Sequence, residues 1–85
     1  MSAVPSLLEI LQTVDRIRER VDERISFRLE VGGSLVHMEM MIRAGGIGFG
    51  QQALVHREEF EHGRVPLLPR IEAMGEAIRR HLVDR

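Results

Sequence analysis

The feature that most constrains the fold is an apolar stripe at helical spacing that runs from residue 7 to residue 42. Residues at steps of three or four share one face of a helix. Two opposite charges, Arg28 and Glu39, lie on this face, and a buried charge is costly unless it is paired or used. These two residues are therefore the first candidates for a functional site. The stripe consists of Leu7, Ile10, Val14, Ile17, Val21, Ile25, Arg28, Gly32, Leu35, Glu39 and Ile42.

The stripe predicts one long N-terminal helix. Ser6 and Glu9 have the spacing of a capping box, which marks the start of a helix. The three-and-four stepping stays in phase across Gly32 and Gly33, and mostly helix-forming residues follow until Gly45. We therefore expect a helix that continues through residues 25–43.

A second interpretation of the same segment stays open. Residues 25–31 alternate between apolar and polar side chains as a strand does, and residues 35–42 could be the returning strand. Gly32, Gly33 and Ser34 between them have the composition of a hairpin turn. This alternative has an α-β-β-α arrangement.

Two shorter helices complete the all-α architecture that we expect. Residues 45–50 are glycine-rich and predict a loop, and a second helix over residues 51–62 would end at Gly63. A third helix would begin at Pro66 or Pro69, because proline fits the first turn of a helix. The apolar face of this third helix contains Leu67, Leu68, Ile71, Met74, Ile78 and Leu82.

Composition narrows the class of protein. The 85 residues predict a single domain, residues 1–85, with a formal charge of −1, no cysteine, no tyrosine and no tryptophan. The basic residues are spread along the chain, and the aromatic residues that usually stack on bases are missing, which argues against nucleic-acid binding. We also expect no cofactor and no metal site. The N-terminal residues do not resemble a signal peptide, and no apolar run reaches membrane-span length. We expect a cytoplasmic protein that does not bind a membrane.

The length of the stripe predicts a homodimer. A helix from residue 7 to residue 42 would be about 54 Å long, whereas a compact domain of this size has a radius of gyration of about 12 Å. Two short helices could not cover it, so a second copy should. If two long helices cross antiparallel near Gly32 and Gly33, Arg28 of one chain would face Glu39 of the other. Alternatively, both charges would line a polar pocket in the bundle.

The pattern resembles the all-helical class of chorismate mutases, which are intertwined homodimers with one long and two shorter helices per subunit. The residues that carry the resemblance are the Val14-Asp-Arg-Ile17 run, the Ile25–Val31 run with Arg28, and the segment Leu54-Val-His-Arg-Glu58 after a glycine-rich loop. It spans most of the chain at the level of pattern.

The resemblance implies a site that positions a small cyclic carboxylic acid through its charges. Arg28 matches the mid-helix arginine of the family, whereas Glu39 falls where the family has a lysine. The arginine that opens the second helix of the family falls on Gln51 or, if the loop is counted differently, on Arg57 followed by Glu58, and a polar position near the end of the third helix falls on or near His81. The resemblance thus implies Gln51, Arg57, Glu58 and His81 as candidate substrate-binding residues. We therefore predict a diverged chorismate mutase-like isomerase or related enzyme with Arg28 and Glu39 as catalytic residues and an altered small-molecule substrate. The alternative is a non-catalytic helical dimer with an interaction or regulatory role.

Overall fold

The structure, a computed structural model, describes residues 5–44, 47–62 and 66–83. Its elements follow the order α-β-β-β-α-α. They are α1 (Leu7–Arg20), β1 (Ser26–Val31), β2 (Leu35–Ala44), β3 (Ile47–His56), α2 (Arg57–Glu61) and α3 (Leu67–Val83). The strands form one antiparallel sheet in the order β1-β2-β3, so β2 is central and β1 and β3 are its edges.

The prediction of an all-α helical bundle is therefore wrong. Residues 25–43, expected within one long helix, form β1, a tight turn and most of β2. Residues 51–62, expected as a second helix, contain the end of β3 and then the five-residue helix α2. Gly63, where that helix was expected to end, lies outside the described residues. The hairpin interpretation is the one that the structure has, with a third strand added.

The reason for the strands is visible in the burial of β2. Its alternate residues Val36, Met38, Met40 and Ile42 are all buried, so the period is two rather than 3.6. Methionine is a good helix former, but intrinsic propensity is small compared with tertiary packing, and the burial that the sheet offers overrides it. The turn at residues 32–35 is closed by the Gly32 N–H, which donates to the Leu35 carbonyl at 2.8 Å.

Both ends of the chain that were expected to be helical are helical. Ser6 and Glu9 form the predicted capping box of α1, in which each side chain bonds the backbone N–H of the other residue. The third predicted helix is α3, which begins directly after Pro66. These two elements confirm the sequence signals for capping and for proline at a helix start.

Helices α1 and α3 pack together in the core at Gly75. A Cβ atom on Gly75 would lie 2.7 Å from Cγ2 of Ile17, so only glycine permits this approach. Ile17 and Ile78 are fully buried, and their cluster continues onto one face of the sheet. We call this covered face the inner face; its sheet residues include Phe27, Leu29, Val36, Met38, Met40, Ile42 and Val55. The opposite side is the outer face.

Candidate functional site

Arg28 and Glu39 lie side by side on the outer face of the sheet. They are directly opposite each other in the register of β1 and β2, and Nη2 of Arg28 lies 3.3 Å from Oε1 of Glu39. Arg28 also contacts Glu30, with Nε 3.3 Å from Oε1. The pair is thus formed within one chain. The expectation that it joins two crossing helices is wrong, because neither residue is helical.

A glutamine of β3 that was not predicted as a site residue extends the pair of Arg28 and Glu39 into a polar row. Nε2 of Gln52 donates a hydrogen bond to Oε2 of Glu39 at 2.9 Å, so Arg28, Glu39 and Gln52 form one row across three strands. Gln51, one of the four predicted substrate-binding residues, lies opposite Met40 on the inner face. The signal that could have found Gln52 is strand alternation, since neighbouring residues point to opposite faces.

Arg57 and Glu58 lie at the beginning of α2, beyond the end of β3. Arg57 is paired with Glu61 of the same helix, with Nε 2.7 Å from Oε1, and its backbone N–H bonds the Ser34 carbonyl. Around them is an open polar hollow of about 610 Å³. Its lining residues are Gly33, Ser34, His56, Arg57, Glu58, Glu59 and Glu61. The predicted residues here therefore belong to an exposed acidic helix rather than to the row of Arg28.

His81 lies in the last turn of α3 and stacks on Phe49 of β3. The two ring centroids are 3.8 Å apart and the ring planes differ by 6°. The stack attaches the end of α3 to the sheet. His81 is exposed on its other side.

The six predicted site residues are thus distributed over four places. Arg28 and Glu39 come together on the outer face, while Gln51 lies on the inner face, Arg57 and Glu58 on α2, and His81 on α3. Among the described residues, no group of three or more His, Cys, Asp or Glu side chains could hold a metal ion. A candidate functional site must therefore be sought elsewhere on the molecule.

A concave apolar surface lies between α1, β1 and α2. It is a groove of about 380 Å³, and we call it the β1 groove. Every described residue that lines it is apolar, although none was predicted to form a site. They are Pro5, Leu7, Ile10, Leu11, Phe27, Leu29 and Phe60.

The rim of the β1 groove exposes leucine. Leu7 is 72% exposed and Leu11 is 50% exposed, and they lie one turn apart on α1. Ile10 on the same helix is buried in the core, so the groove floor continues the core. The sequence contains a signal for this surface, because Leu11 is a leucine that lies off the buried stripe of α1. The contribution of β1 and α2 could not be read from the sequence, since it depends on their packing.

Among the described residues, the carboxyl group with the largest pKa shift lies in the loop before β1. Arg24 donates hydrogen bonds to Asp22 from its side chain and its backbone N–H, and these bonds lower the pKa of Asp22 to about 2. Nearby, Nε of Arg18 donates to the carbonyl of Ile25 at 2.8 Å. Both interactions fix the backbone where β1 begins and stabilise the conformation of the loop.

Comparisons of the chain with family models, with curated proteins and with solved structures found no match. Within the described ranges, no helix is long and apolar enough to cross a bilayer. The resemblance to chorismate mutases stays a prediction, and the helical fold that it implied is not the fold of this chain.

Proposed function

We propose that this protein is an interaction domain that binds an apolar, amphipathic segment of a partner protein in the β1 groove. The observation that carries the proposal is the groove itself, which is lined by seven apolar residues and bordered by exposed leucines. Exposed apolar surface of this kind is typical of protein-binding sites.

The chemistry of the lining favours a protein segment over a polar metabolite. Sites for small molecules combine apolar walls with a few polar groups that fix the orientation of the ligand. The β1 groove has only aliphatic side chains and two phenylalanines along its described walls. Side chains of leucine or phenylalanine from a partner fit such a surface, because they need no hydrogen-bonding group.

The shape of the groove favours a helical segment. Leu7 and Leu11 present apolar side chains one helical turn apart, and a second amphipathic helix can pack its own apolar stripe against them. Phe60 of α2 and Leu29 of β1 form the opposite wall. The expected partner segment therefore has apolar residues at steps of three and four.

The test is selection of peptides from a random display library on the immobilised protein, followed by affinity measurements with the purified peptides. We expect amphipathic peptides that bind the Leu11→Arg variant at least about tenfold more weakly, because a charge would replace an apolar anchor. Arginine is a good helix former, so α1 should be retained. The matched control is Leu8→Arg, at a leucine of the same helix that is 63% exposed and is not among the described lining residues of the groove.

Two outcomes would contradict the proposal. One is a library that yields no enriched apolar peptide. The other is a set of peptides that bind Leu11→Arg as tightly as the unmodified protein, which would place their site elsewhere.

A further inference from the structure

The direction of each backbone group at the edge of β3 follows from two hydrogen bonds. The Gly32 N–H donates to the Leu35 carbonyl, and the Arg57 N–H donates to the Ser34 carbonyl. Because bonding alternates along an antiparallel ladder, the odd-numbered residues 49–55 of β3 bond to β2. The even-numbered residues Gly48, Gly50, Gln52 and Leu54 therefore point their N–H and C=O groups away from the sheet.

The outward side of β3 has features that proteins normally avoid at an edge. Edge strands are usually short, charged, bulged or covered, which prevents pairing with another chain. β3 is ten residues long and contains no Asp, Glu, Lys, Arg or Pro. Leu54 on this edge is 61% exposed. Within the described part of the chain, the strand thus offers a long row of backbone donors and acceptors that have no partner.

We propose that two copies of this chain pair through their β3 edges. The strands run antiparallel about a twofold axis at Gln52, and the two sheets become one continuous six-stranded sheet. This inference goes beyond the proposed function, because it uses the edge opposite the β1 groove. An antiparallel strand pair on a twofold axis is self-complementary, as a symmetric dimer requires.

The register at Gln52 fits the shapes of the side chains on the outer face. It places Leu54 of one copy opposite Gly50 of the other. Met41 already lies over Gly50, since a Cβ atom there would be 3.0 Å from Cγ of Met41. Leu54 therefore packs on the partner's Met41 above a residue that has no side chain of its own.

The same register fits the inner face. It places Phe49 of one copy opposite Val55 of the other, and Gln51 opposite Ala53. Aromatic and β-branched residues form favourable pairs across neighbouring strands. No charged side chain has to leave water along the paired strands.

The size of this interface is at the lower limit for a stable dimer. Nine paired residues per strand extend over about 30 Å and exchange about ten backbone hydrogen bonds. With the 19 Å smallest dimension of the molecule as the depth, each copy contributes roughly 600 Å², close to the lower limit of stable interfaces. We therefore expect a dissociation constant in the micromolar range.

The dimer leaves both β1 grooves free. β1 and β3 are opposite edges of the sheet, so pairing at β3 places the two grooves on the far sides of the dimer. A partner that carries two amphipathic segments would then bind both copies at once, with a gain in avidity that depends on the distance between the segments.

The test uses single cysteines, because the chain has none of its own. In the proposed register the two Gln52 Cα atoms are about 5.5 Å apart, within the range of a disulfide bond. The Cα atom of Leu54 in one copy is about 14 Å from that of Leu54 in the other, which is too far. The variants are Gln52→Cys, Leu54→Cys and, on the other edge, Leu29→Cys.

We expect Gln52→Cys to form disulfide-linked dimers at least about tenfold faster than the other two variants, because pairing raises the effective concentration of the thiols. Sedimentation of the unmodified protein at micromolar concentrations should show a monomer–dimer equilibrium. Leu11→Arg in the β1 groove should leave this equilibrium unchanged, so failure of the groove and failure of the β3 edge are distinguishable.

A strictly monomeric protein would overturn the proposal. So would faster cross-linking at Leu54→Cys, which would require another register, or at Leu29→Cys, which would place the dimer contact on β1. Circular dichroism of each variant verifies that the fold is retained.

Discussion

β1 forms one edge of the sheet with six residues, two of them charged, whereas β3 forms the other edge with ten residues and no charge. At β1, Arg28 and Glu30 lie on the outer face, and Arg18 bonds the carbonyl of Ile25 just before the strand. At β3, the described residues have no such protection. One edge is built to remain single and the other to be paired, and each arrangement leads to a different experiment.

The largest expected effect comes from proline at neighbouring positions of β3. Ala53→Pro removes an N–H that bonds to β2, so the free energy of unfolding should fall by about 1–3 kcal/mol or more. Leu54→Pro removes an N–H of the free edge, where proline is tolerated. The Leu54→Pro variant should therefore retain most of the free energy of unfolding but no longer form the dimer. Urea unfolding and sedimentation measure the two effects, and equal destabilisation by both variants would refute the assigned direction of the backbone groups.

The second largest expected effect is a new association of chains through the edge of β1. The double variant Arg28→Thr with Glu30→Thr removes both charges from this edge and retains β propensity. A second unprotected edge should allow chains to continue beyond the dimer, because edge charges are what prevent such pairing. We expect light scattering to reveal higher oligomers that the unmodified protein does not form. The matched control is Arg79→Thr with Glu76→Thr on α3, which should leave the oligomeric state unchanged.

The sequence predicted the ends of this chain better than its middle. The capping box of α1 and the proline before α3 are local signals, and both helices begin where they were expected, although α1 ends at Arg20 instead of continuing to residue 42. β3 has no comparable local signal, since it contains two glycines and two glutamines. Its stability comes from pairing with β2 along all ten residues, which no pattern within the strand reveals.

The pairing of Arg28 with Glu39 was anticipated for a different reason. Two antiparallel helices that cross midway between residues 28 and 39 bring these two residues together. A hairpin that turns at the same place does the same. The structure has the hairpin, so the pair lies within one chain. The β1 groove could not be anticipated in this way, because α1, β1 and α2 each supply only part of it.

A smaller effect is expected from Glu39→Gln. If the pair acts only within the sheet, its loss should lower the free energy of unfolding by about 0.2–1 kcal/mol, since Arg28 is largely exposed. The monomer–dimer equilibrium should not change, because Glu39 lies on the central strand. Thermal unfolding and sedimentation measure the two quantities. Loss of the dimer in this variant would show that Glu39 contacts the second copy and would remove the contrast between the edges.

The smallest expected effect is a difference between the two edges of the sheet in their response to low pH. The pKa of Asp22 is lowered from 3.8 to about 2 by the hydrogen bonds of Arg24, so the carboxylate stabilises the folded state. This stabilisation is complete well above pH 3.8 and is lost as the pH falls through about 2. Because Asp22 and Arg24 fix the loop before β1, amide hydrogen exchange at the start of β1, measured relative to the intrinsic exchange rate at each pH, should accelerate over this range.

The matched variant is Arg24→Gln, in which the pKa of Asp22 should return towards 3.8 and the acceleration should begin at a higher pH. NMR titration of the Asp22 carboxyl measures the pKa directly. The residues of β3 before His56 include no group that titrates in this range. Equal acceleration of exchange at both edges would therefore mean that acid loosens the whole sheet, and the interaction between Asp22 and Arg24 would not be specific to the protection of β1.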